Sequence, residues 1–99
     1  MLHALADPTR LAIVRALRRE PAGANCVDTM KTVQRAVPKA TCSQHFQILR
    51  EAGVVRSERR GVELINHLRG DELESRFPGL LASILHAHER EAVTTVPPG

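Results

Sequence analysis

The period of the hydrophobic pattern changes at Gly53, and this change constrains the fold more than any other feature of the sequence. Three apolar residues before it recur at the intervals of one helical face: Cys42, Phe46 and Leu49. They predict an α-helix over Thr41 to Ala52, which Gly53 ends. Beyond Gly53 apolar and polar residues alternate around a turn at Arg59 to Gly61, which predicts a two-stranded hairpin. A helix with a polar outer face is therefore followed directly by a basic β-hairpin.

The segment ahead of this pair predicts further helices. Asp7 is a capping residue followed by Pro8, which suits a first helical turn, and apolar residues then recur at helical spacing. The stretch Pro21 to Asn25 ends this helix, and a short helix precedes it. From Val27 to Val37 the apolar positions again fall at helical intervals, which predicts one helix ending before Pro38.

The chain after the hairpin predicts two more helices and a tail. Asp71 and Glu74 have the spacing of a capping box, and a segment from about Pro78 carries an apolar stripe. Residues 93–99 are expected to form a frayed, flexible tail. We therefore predict one domain over residues 1–92, mostly α with a β-hairpin wing, in the winged helix-turn-helix class.

Composition excludes several classes of protein. The 99 residues carry a net charge of +3, the sign expected for a nucleic-acid partner but also common in proteins that bind none. The sequence has no membrane-length apolar run and no signal-peptide pattern, so no membrane partner and a cytoplasmic location are expected. Two cysteines without CxxC spacing are too few for a disulfide framework. An enzyme is not expected, since paired carboxylates, a nucleophile motif and a phosphate-binding glycine loop are all missing.

The polar helix face and the basic hairpin together favour binding to double-stranded DNA. A helix with short polar side chains fits the major groove, where those side chains hydrogen-bond base edges. Arginines on the hairpin would neutralise phosphates beside the groove or in the minor groove. The predicted DNA-binding residues are Lys39, Thr41, Ser43, Gln44, His45, Gln47, Arg50, Arg56, Arg59 and Arg60.

Plainer interpretations compete with this one. The polar face taken alone could be ordinary solvated surface, and each arginine could serve solubility, so only their arrangement favours DNA. A winged-helix module can also mediate protein-protein contact without specific DNA binding, because a fold does not fix its use.

Two motifs make the chain resemble a known family. The first reads ADPTRLAIV from Ala6 to Val14, and the second reads TCSQHFQILREAGVV from Thr41 to Val55. Both are similar to motifs of the arsenical-resistance repressor (ArsR-type) winged helix-turn-helix family, and the resemblance covers about Leu2 to Leu85. It implies a transcriptional regulator, commonly a repressor, that binds an inverted-repeat operator as a homodimer. The terminal helices that would pair carry Leu2, Leu5, Leu80, Leu81, Ile84 and Leu85.

The resemblance also implies an inducer, a metal ion or another signal. Metal-sensing members carry a CVC-type pair near the start of the helix before the recognition helix, where this chain reads Cys26-Val27-Asp28. A second family site lies on the terminal helix, where His86 and Glu89 are better spaced than His86 and His88. The plainer alternatives are a buried or idle cysteine and exposed polar residues at a helix end. Cys42, on the apolar face of its helix, is predicted to be a buried, inert thiol.

Overall fold

The chain begins with helices, continues into a β-hairpin and returns to helices. The computed structural model describes residues 3–33 and 37–94, with side chains described up to residue 87. Its elements are a 3₁₀ turn (Ala4–Ala6), α1 (Pro8–Arg18), α2 (Cys26–Val33), α3 (Lys39–Glu51), β1 (Val55–Arg60), β2 (Glu63–Leu68), α4 (Gly70–Arg76) and α5 (Leu80–Thr94). They form two compact units, Met1–Arg69 and Gly70–Gly99. The order confirms the predicted winged helix-turn-helix class.

α1 begins where the sequence supplies a cap and a proline. The Asp7 carboxylate accepts hydrogen bonds from the amides of Thr9 and Arg10 at 2.8 and 3.1 Å, which satisfies two of the amides that a helix N-terminus leaves unpaired. Partial burial acts to raise the pKa of Asp7. The bonds from these two amides and the charges of His45 and Arg10 outweigh it, so the pKa lies below its usual range. The predicted capping role of Asp7 is confirmed.

The core of the first unit lies between α1, α3 and the hairpin. α1 packs against α2, α3 and β2, and α3 packs against β1. The fully buried side chains include Ile13, Val14 and Leu17 from α1, Phe46 and Leu49 from α3, and Val54 and Val55 at the start of the hairpin. This aliphatic core with Phe46 as its buried phenyl ring follows from a sequence that contains two phenylalanines and no tryptophan or tyrosine.

Helix α2 ends earlier than predicted, and helix α3 begins earlier than predicted. α2 begins at Cys26, where the Asn25 side chain accepts a hydrogen bond from the Asp28 amide at 2.8 Å, and it ends at Val33. Residues 34–36 lie outside the described residues, and Val37 is not helical. α3 begins two residues earlier than predicted because Pro38 takes the N-cap position.

The wing consists of two antiparallel strands of six residues each, and its turn begins two residues later than predicted. Arg60 pairs with Glu63, so the turn consists of Gly61 and Val62, and Arg59 and Arg60 belong to β1. Gly61 adopts a left-handed φ of +62°, which two-residue hairpin turns require at their first position. Val62 is 96% exposed.

The base of the wing is tied to the loop between α1 and α2. Ala24 forms an isolated antiparallel bridge with Asn66, and the amide of each residue donates to the carbonyl of the other, at 2.9 and 3.0 Å. Gly23, with a φ of +84°, brings the loop so close to β2 that an added Cβ would lie 2.6 Å from atoms of both His67 and Ile65. A glycine is therefore required here both for conformation and for space.

The second unit consists of α4 and α5. The predicted capping box is wrong, because Asp71 lies inside the first turn of α4 and the Glu74 carboxylate instead accepts from the Gly79 amide, at 3.2 and 3.3 Å. Leu85 of the predicted apolar stripe is buried. α5 continues to Thr94, past the predicted boundary at residue 92, and residues 95–99 lie outside the described residues. Within the described part of the chain, no helix is both long and apolar enough to cross a membrane.

Replacing Asp7 by alanine should lower the free energy of unfolding by about 1 kcal/mol near neutral pH, because the cap is removed. Since the pKa of Asp7 is lowered in the folded state, the ionised cap stabilises fully above the unfolded-state pKa of about 3.9. This contribution is lost as pH falls through the folded-state pKa. Urea unfolding at about pH 7 and about pH 3 should therefore show the penalty of D7A shrinking in acid. Asp7→Asn is the matched control because it keeps the capping oxygen, and equal stability of D7A and wild type at neutral pH would contradict the capping role.

Replacing Gly23 by alanine should destabilise the first unit more than replacing Gly61 does. Both glycines have a positive φ, and a Cβ at Gly61 meets nothing within 4 Å, so Gly61→Ala carries only the conformational cost of about 1–2 kcal/mol. Gly23→Ala adds overpacking against His67 and Ile65, which should cost at least about 1 kcal/mol more. Denaturant unfolding of both variants measures the difference, and equal destabilisation would show that β2 moves aside freely.

Candidate nucleic-acid interface

α3 presents an exposed polar face along its whole length. The helix has 13 residues and is therefore about 20 Å long. As predicted, Cys42, Phe46 and Leu49 are buried. The exposed residues are Lys39, Ala40, Thr41, Ser43, Gln44, Gln47 and Glu51, with His45 and Arg50 half-buried at the edges. Each α3 residue predicted to contact DNA thus keeps at least part of its surface accessible.

The first turn of α3 is open to an anion. Its N-cap residue is Pro38, whose side chain makes no capping hydrogen bond, and Lys39 is exposed as the first helical residue. Helix N-terminal amides without a side-chain cap attract phosphate groups through the helix dipole. The start of this helix therefore combines a positive side chain with amide donors.

Arg10 of the first motif links the 3₁₀ turn to α3. Its Nε donates to the Ala4 carbonyl at 2.6 Å, and Nη1 lies 3.3 Å from His45 Nδ1. Because a guanidinium only donates, Nδ1 accepts in this contact when the imidazole is neutral. Nε2 is then the ring nitrogen left to donate at the edge of the polar face. No pattern in the sequence indicates this pairing of residues 35 positions apart.

The arginines of the wing are not equivalent. Arg60 donates from Nε to Glu58 Oε1 at 2.6 Å, while Arg56 Nη1 lies 4.0 Å from Glu58 Oε2. The hydrogen bond and the charge of Arg60 hold the pKa of Glu58 below its usual range, and His67, whose Nε2 lies 3.5 Å from Oε1, adds to this lowering. Arg59 is exposed and forms no hydrogen bond or ion pair within the described part of the chain. Among the three wing arginines predicted to contact DNA, Arg56 and Arg60 pair with Glu58, whereas Arg59 has no partner within the described residues.

A partly buried hydrogen-bond chain connects α3 with the base of the wing. Arg50 Nη1 donates to Ser57 Oγ at 3.3 Å, and that hydroxyl donates to Asn66 Oδ1 at 2.7 Å. Asn66 Nδ2 in turn contacts the Ala24 carbonyl at 3.3 Å and Cys26 Sγ at 3.6 Å. Asn66 is fully buried, although the alternation of β2 offers no reason to single it out. Arg50 is therefore oriented by its hydrogen bond to Ser57, while part of its side chain stays accessible at the surface.

The cysteine and carboxylate of the motif Cys26-Val27-Asp28 do not face the same space. Cys26 lines a cavity with Cys42 and Met30, whereas Asp28 lines a different one and pairs with Lys31 at 3.8 Å. His86 is exposed, and the side chains of His88 and Glu89 lie outside the described residues. Among the described residues, no three His, Cys, Asp or Glu side chains converge on a metal position. Cys26 and Asp28 thus border different cavities, and a metal site at this motif stays a prediction.

Cys42 is buried, as predicted. Burial raises the pKa of its thiol, and the charge of Cys26 adds to the shift. The thiol is therefore protonated at neutral pH, which agrees with the prediction that it is unreactive on its own.

The residues predicted for the dimer interface differ in how much of their surface is accessible. Leu5 and Leu85 are 4% and 1% exposed within one chain, so they are already used internally and offer no surface to a partner. Leu80, Leu81 and Ile84 of α5 are half-buried and retain accessible area. Leu2 lies outside the described residues.

Comparison with known proteins gives concordant matches. A helix-turn-helix domain family matches residues 5–58, more than half of the chain. The HTH-type transcriptional repressor SmtB of Mycobacterium tuberculosis is 38% identical over 89 residues, covering 90% of this chain and 61% of its own length. The uncharacterised HTH-type transcriptional regulator YceK of Bacillus subtilis is 32% identical over 84 residues, covering 85% of this chain and 82% of its own length. This chain thus spans about three-fifths of the mycobacterial relative.

Proposed function

Because the chain belongs to the ArsR-type family of winged helix-turn-helix regulators, we propose that it represses transcription by binding, as a homodimer, an operator made of inverted half-sites. It is a DNA-binding transcriptional regulator rather than an enzyme, as the sequence predicted. The observation that carries the proposal is the exposed polar face of α3 beside an arginine-bearing wing in the same compact unit.

The polar face of α3 supports a role as the helix that reads the major groove. Gln44 and Gln47 lie one turn apart and are both exposed, while Thr41 and Ser43 flank them nearer the N-terminus. Glutamine and hydroxyl side chains can distinguish base edges in the major groove. Gln47 donates to Glu51 Oε1 at 3.0 Å, so Gln44 is the better placed of the two glutamines to bond a base.

The N-terminus of α3 and the wing supply contacts to the DNA backbone. Lys39 and the uncapped first turn suit one phosphate, and Arg59 suits another in the adjacent backbone or minor groove. Arg56 and Arg60 also bind phosphate once it replaces Glu58 as their partner. This exchange costs little, because an exposed ion pair contributes little to stability.

Pairing of two chains is proposed through the second unit. The face formed by Leu80, Leu81 and Ile84 would lose its remaining accessible area against a second copy. A two-fold dimer presents two α3 helices, which accounts for an operator with inverted half-sites one helical turn or a multiple of it apart. The repressor role follows the name of the mycobacterial relative.

Replacing Arg59 by glutamate should weaken DNA binding and flatten its salt dependence. Removing one phosphate interaction reduces the slope of log affinity against log salt by about 1. Fluorescence anisotropy with labelled DNA from upstream of the protein's own gene, at several salt concentrations, measures both. Arg18→Glu is the matched control, because it makes the same charge change at an exposed position on α1.

The double variant R59E/R60E should abolish DNA binding but leave dimerisation intact, and retained DNA affinity would refute the wing assignment.

Replacing Gln44 by alanine should reduce discrimination between operator and unrelated DNA by about 1–3 kcal/mol, the worth of one good base contact. Gln47→Ala should have a smaller effect, because its amide group is already bonded to Glu51. Parallel titrations with operator and scrambled DNA separate specific from non-specific affinity. If wild-type protein binds both DNAs equally and weakly, the DNA-reading role is wrong and a protein-contact role for the winged helix takes its place.

A further inference from the structure

The guanidinium group of Arg10 is bonded at both of its ends. Nε donates to the Ala4 carbonyl at 2.6 Å and Nη2 donates to the His3 carbonyl at 3.4 Å, while Nη1 lies 3.3 Å from His45 Nδ1 on α3. A guanidinium is planar and presents its donors in a rigid fork. The two bonds at the 3₁₀ turn therefore fix the direction in which Nη1 points toward His45.

The contact with Arg10 decides which atom of His45 is available at the surface. A neutral imidazole has one nitrogen that donates and one that accepts, and a guanidinium only donates. Nδ1 of the neutral ring is therefore the acceptor, and Nε2 carries the proton. His45 is half-buried, so part of its surface stays accessible. The ring thus offers a donor, and not an acceptor, to a ligand of α3.

Asp7 is a competing partner for the same imidazole. Partial burial raises the pKa of the Asp7 carboxylate, whereas two amide hydrogen bonds and the charge of His45 lower it, so the two side chains interact. A ring that is free to turn has this acceptor available to its N–H. Every such arrangement loses the bond from Arg10 Nη1, which requires an accepting Nδ1. Arg10 therefore favours one tautomer and one orientation of the ring.

His45 lies where a recognition helix meets base edges. It follows Thr41 by four residues and shares its face of α3, and helical side chains lean toward the N-terminus of their helix. The recognition helix of a helix-turn-helix contacts bases with its N-terminal residues. In the major groove guanine presents two acceptors, N7 and O6. Adenine presents N7 beside an amino donor, thymine presents O4 beside a methyl group, and cytosine presents an amino donor. A ring that only donates therefore matches guanine best.

We propose that Arg10 is a positioning residue for DNA recognition, which holds the ring of His45 so that Nε2 donates to N7 of one guanine in each half-site of the operator. The inference rests on the proposed function, because it names the base that this part of α3 reads. Arg10 acts through His45 and not through a base of its own.

The contact between Arg10 and His45 is tested without DNA. Long-range proton–nitrogen NMR spectra of the isotope-labelled chain at about pH 8, where histidine side chains are normally neutral, show which ring nitrogen carries the proton. The signals of His45 are those missing from the spectrum of His45→Gln. Wild type should show the proton on Nε2 alone, whereas Arg10→Met, which keeps an apolar stem but no donor, should show both tautomers. Arg15→Met is the matched control, because it removes the same charge from another half-buried position of α1.

The contact with guanine is tested on a duplex from upstream of the protein's own gene. Each guanine is replaced in turn by 7-deazaguanine, which lacks the N7 acceptor. One replacement per half-site should lower the affinity of wild type about tenfold, the worth of one good hydrogen bond. His45→Ala should bind the normal and the substituted duplex equally, and Arg10→Met should lose most of the difference between them. Arg15→Met should keep the full difference.

His45→Gln separates positioning from support of the fold. The glutamine amide nitrogen donates without a tautomer to be fixed, so H45Q should keep the preference for guanine over 7-deazaguanine. Adding R10M should then leave this preference unchanged, although R10M lowers it when His45 is present. Far-UV circular dichroism checks folding, and Arg10→Gln replaces R10M if methionine is not tolerated.

Each half of the proposal has its own contrary result. A wild-type proton on Nδ1 of His45, or identical spectra of wild type and R10M, would overturn the positioning by Arg10. An equal effect of R10M with histidine and with glutamine at position 45 would reduce Arg10 to a support of the fold. Specific binding that no 7-deazaguanine weakens would overturn the guanine contact. Equal binding of operator and unrelated DNA would overturn the proposed function, while the spectra still decide the contact between Arg10 and His45.

Discussion

Two backbone hydrogen bonds between Ala24 and Asn66 fix the base of the wing to the loop that joins α1 and α2. The Asn66 side chain extends this attachment, because it donates toward Ala24 and Cys26 and accepts from Ser57. A buried amide that loses a partner costs about 1–3 kcal/mol, so one arrangement of these groups is strongly preferred. Ser57 also accepts a hydrogen bond from Arg50 of α3. These bonds hold the wing and α3 in one relative orientation, from which both could contact a duplex.

The charges on the wing balance attraction to DNA against the stability of the free protein. Without Glu58 the repulsion among Arg56, Arg59 and Arg60 of β1 would be larger. Glu58 neutralises part of this repulsion through contacts that phosphate can replace, since exposed ion pairs contribute little. Displacing Glu58 uses some of the energy gained from phosphate. On the proposed function this would lower the non-specific affinity, so that base contacts from α3 would contribute a larger share to the choice of site.

Sequence reasoning predicted the elements whose signals are local. The cap at Asp7, the buried stripe of α3 and the hairpin all depend on residues within a few positions of one another, and all were found. The errors arose where partners outside the repeating pattern of an element decide. Glu74 bonds Gly79 instead of closing a capping box, and Asn66 is buried because Ala24, 42 positions away, pairs with it. Periodicity carries no information about such partners.

The same distinction applies to the functional site. The exposed face of α3 followed from its period, but the difference between Arg59 and Arg60 depends on where the Glu58 side chain points. The cysteines show the limit most clearly. Helical spacing predicted that Cys42 faces inward, and the family motif drew attention to Cys26 beside Asp28. Cys26 and Asp28 lie two positions apart on α2 and therefore point to different sides of that helix, but the packing of α2 on α3 decides that Cys26 borders the same cavity as Cys42. The buried Asn66, whose Nδ2 lies 3.6 Å from Cys26 Sγ, connects the start of α2 with the base of the wing, and no period in the sequence indicates that contact.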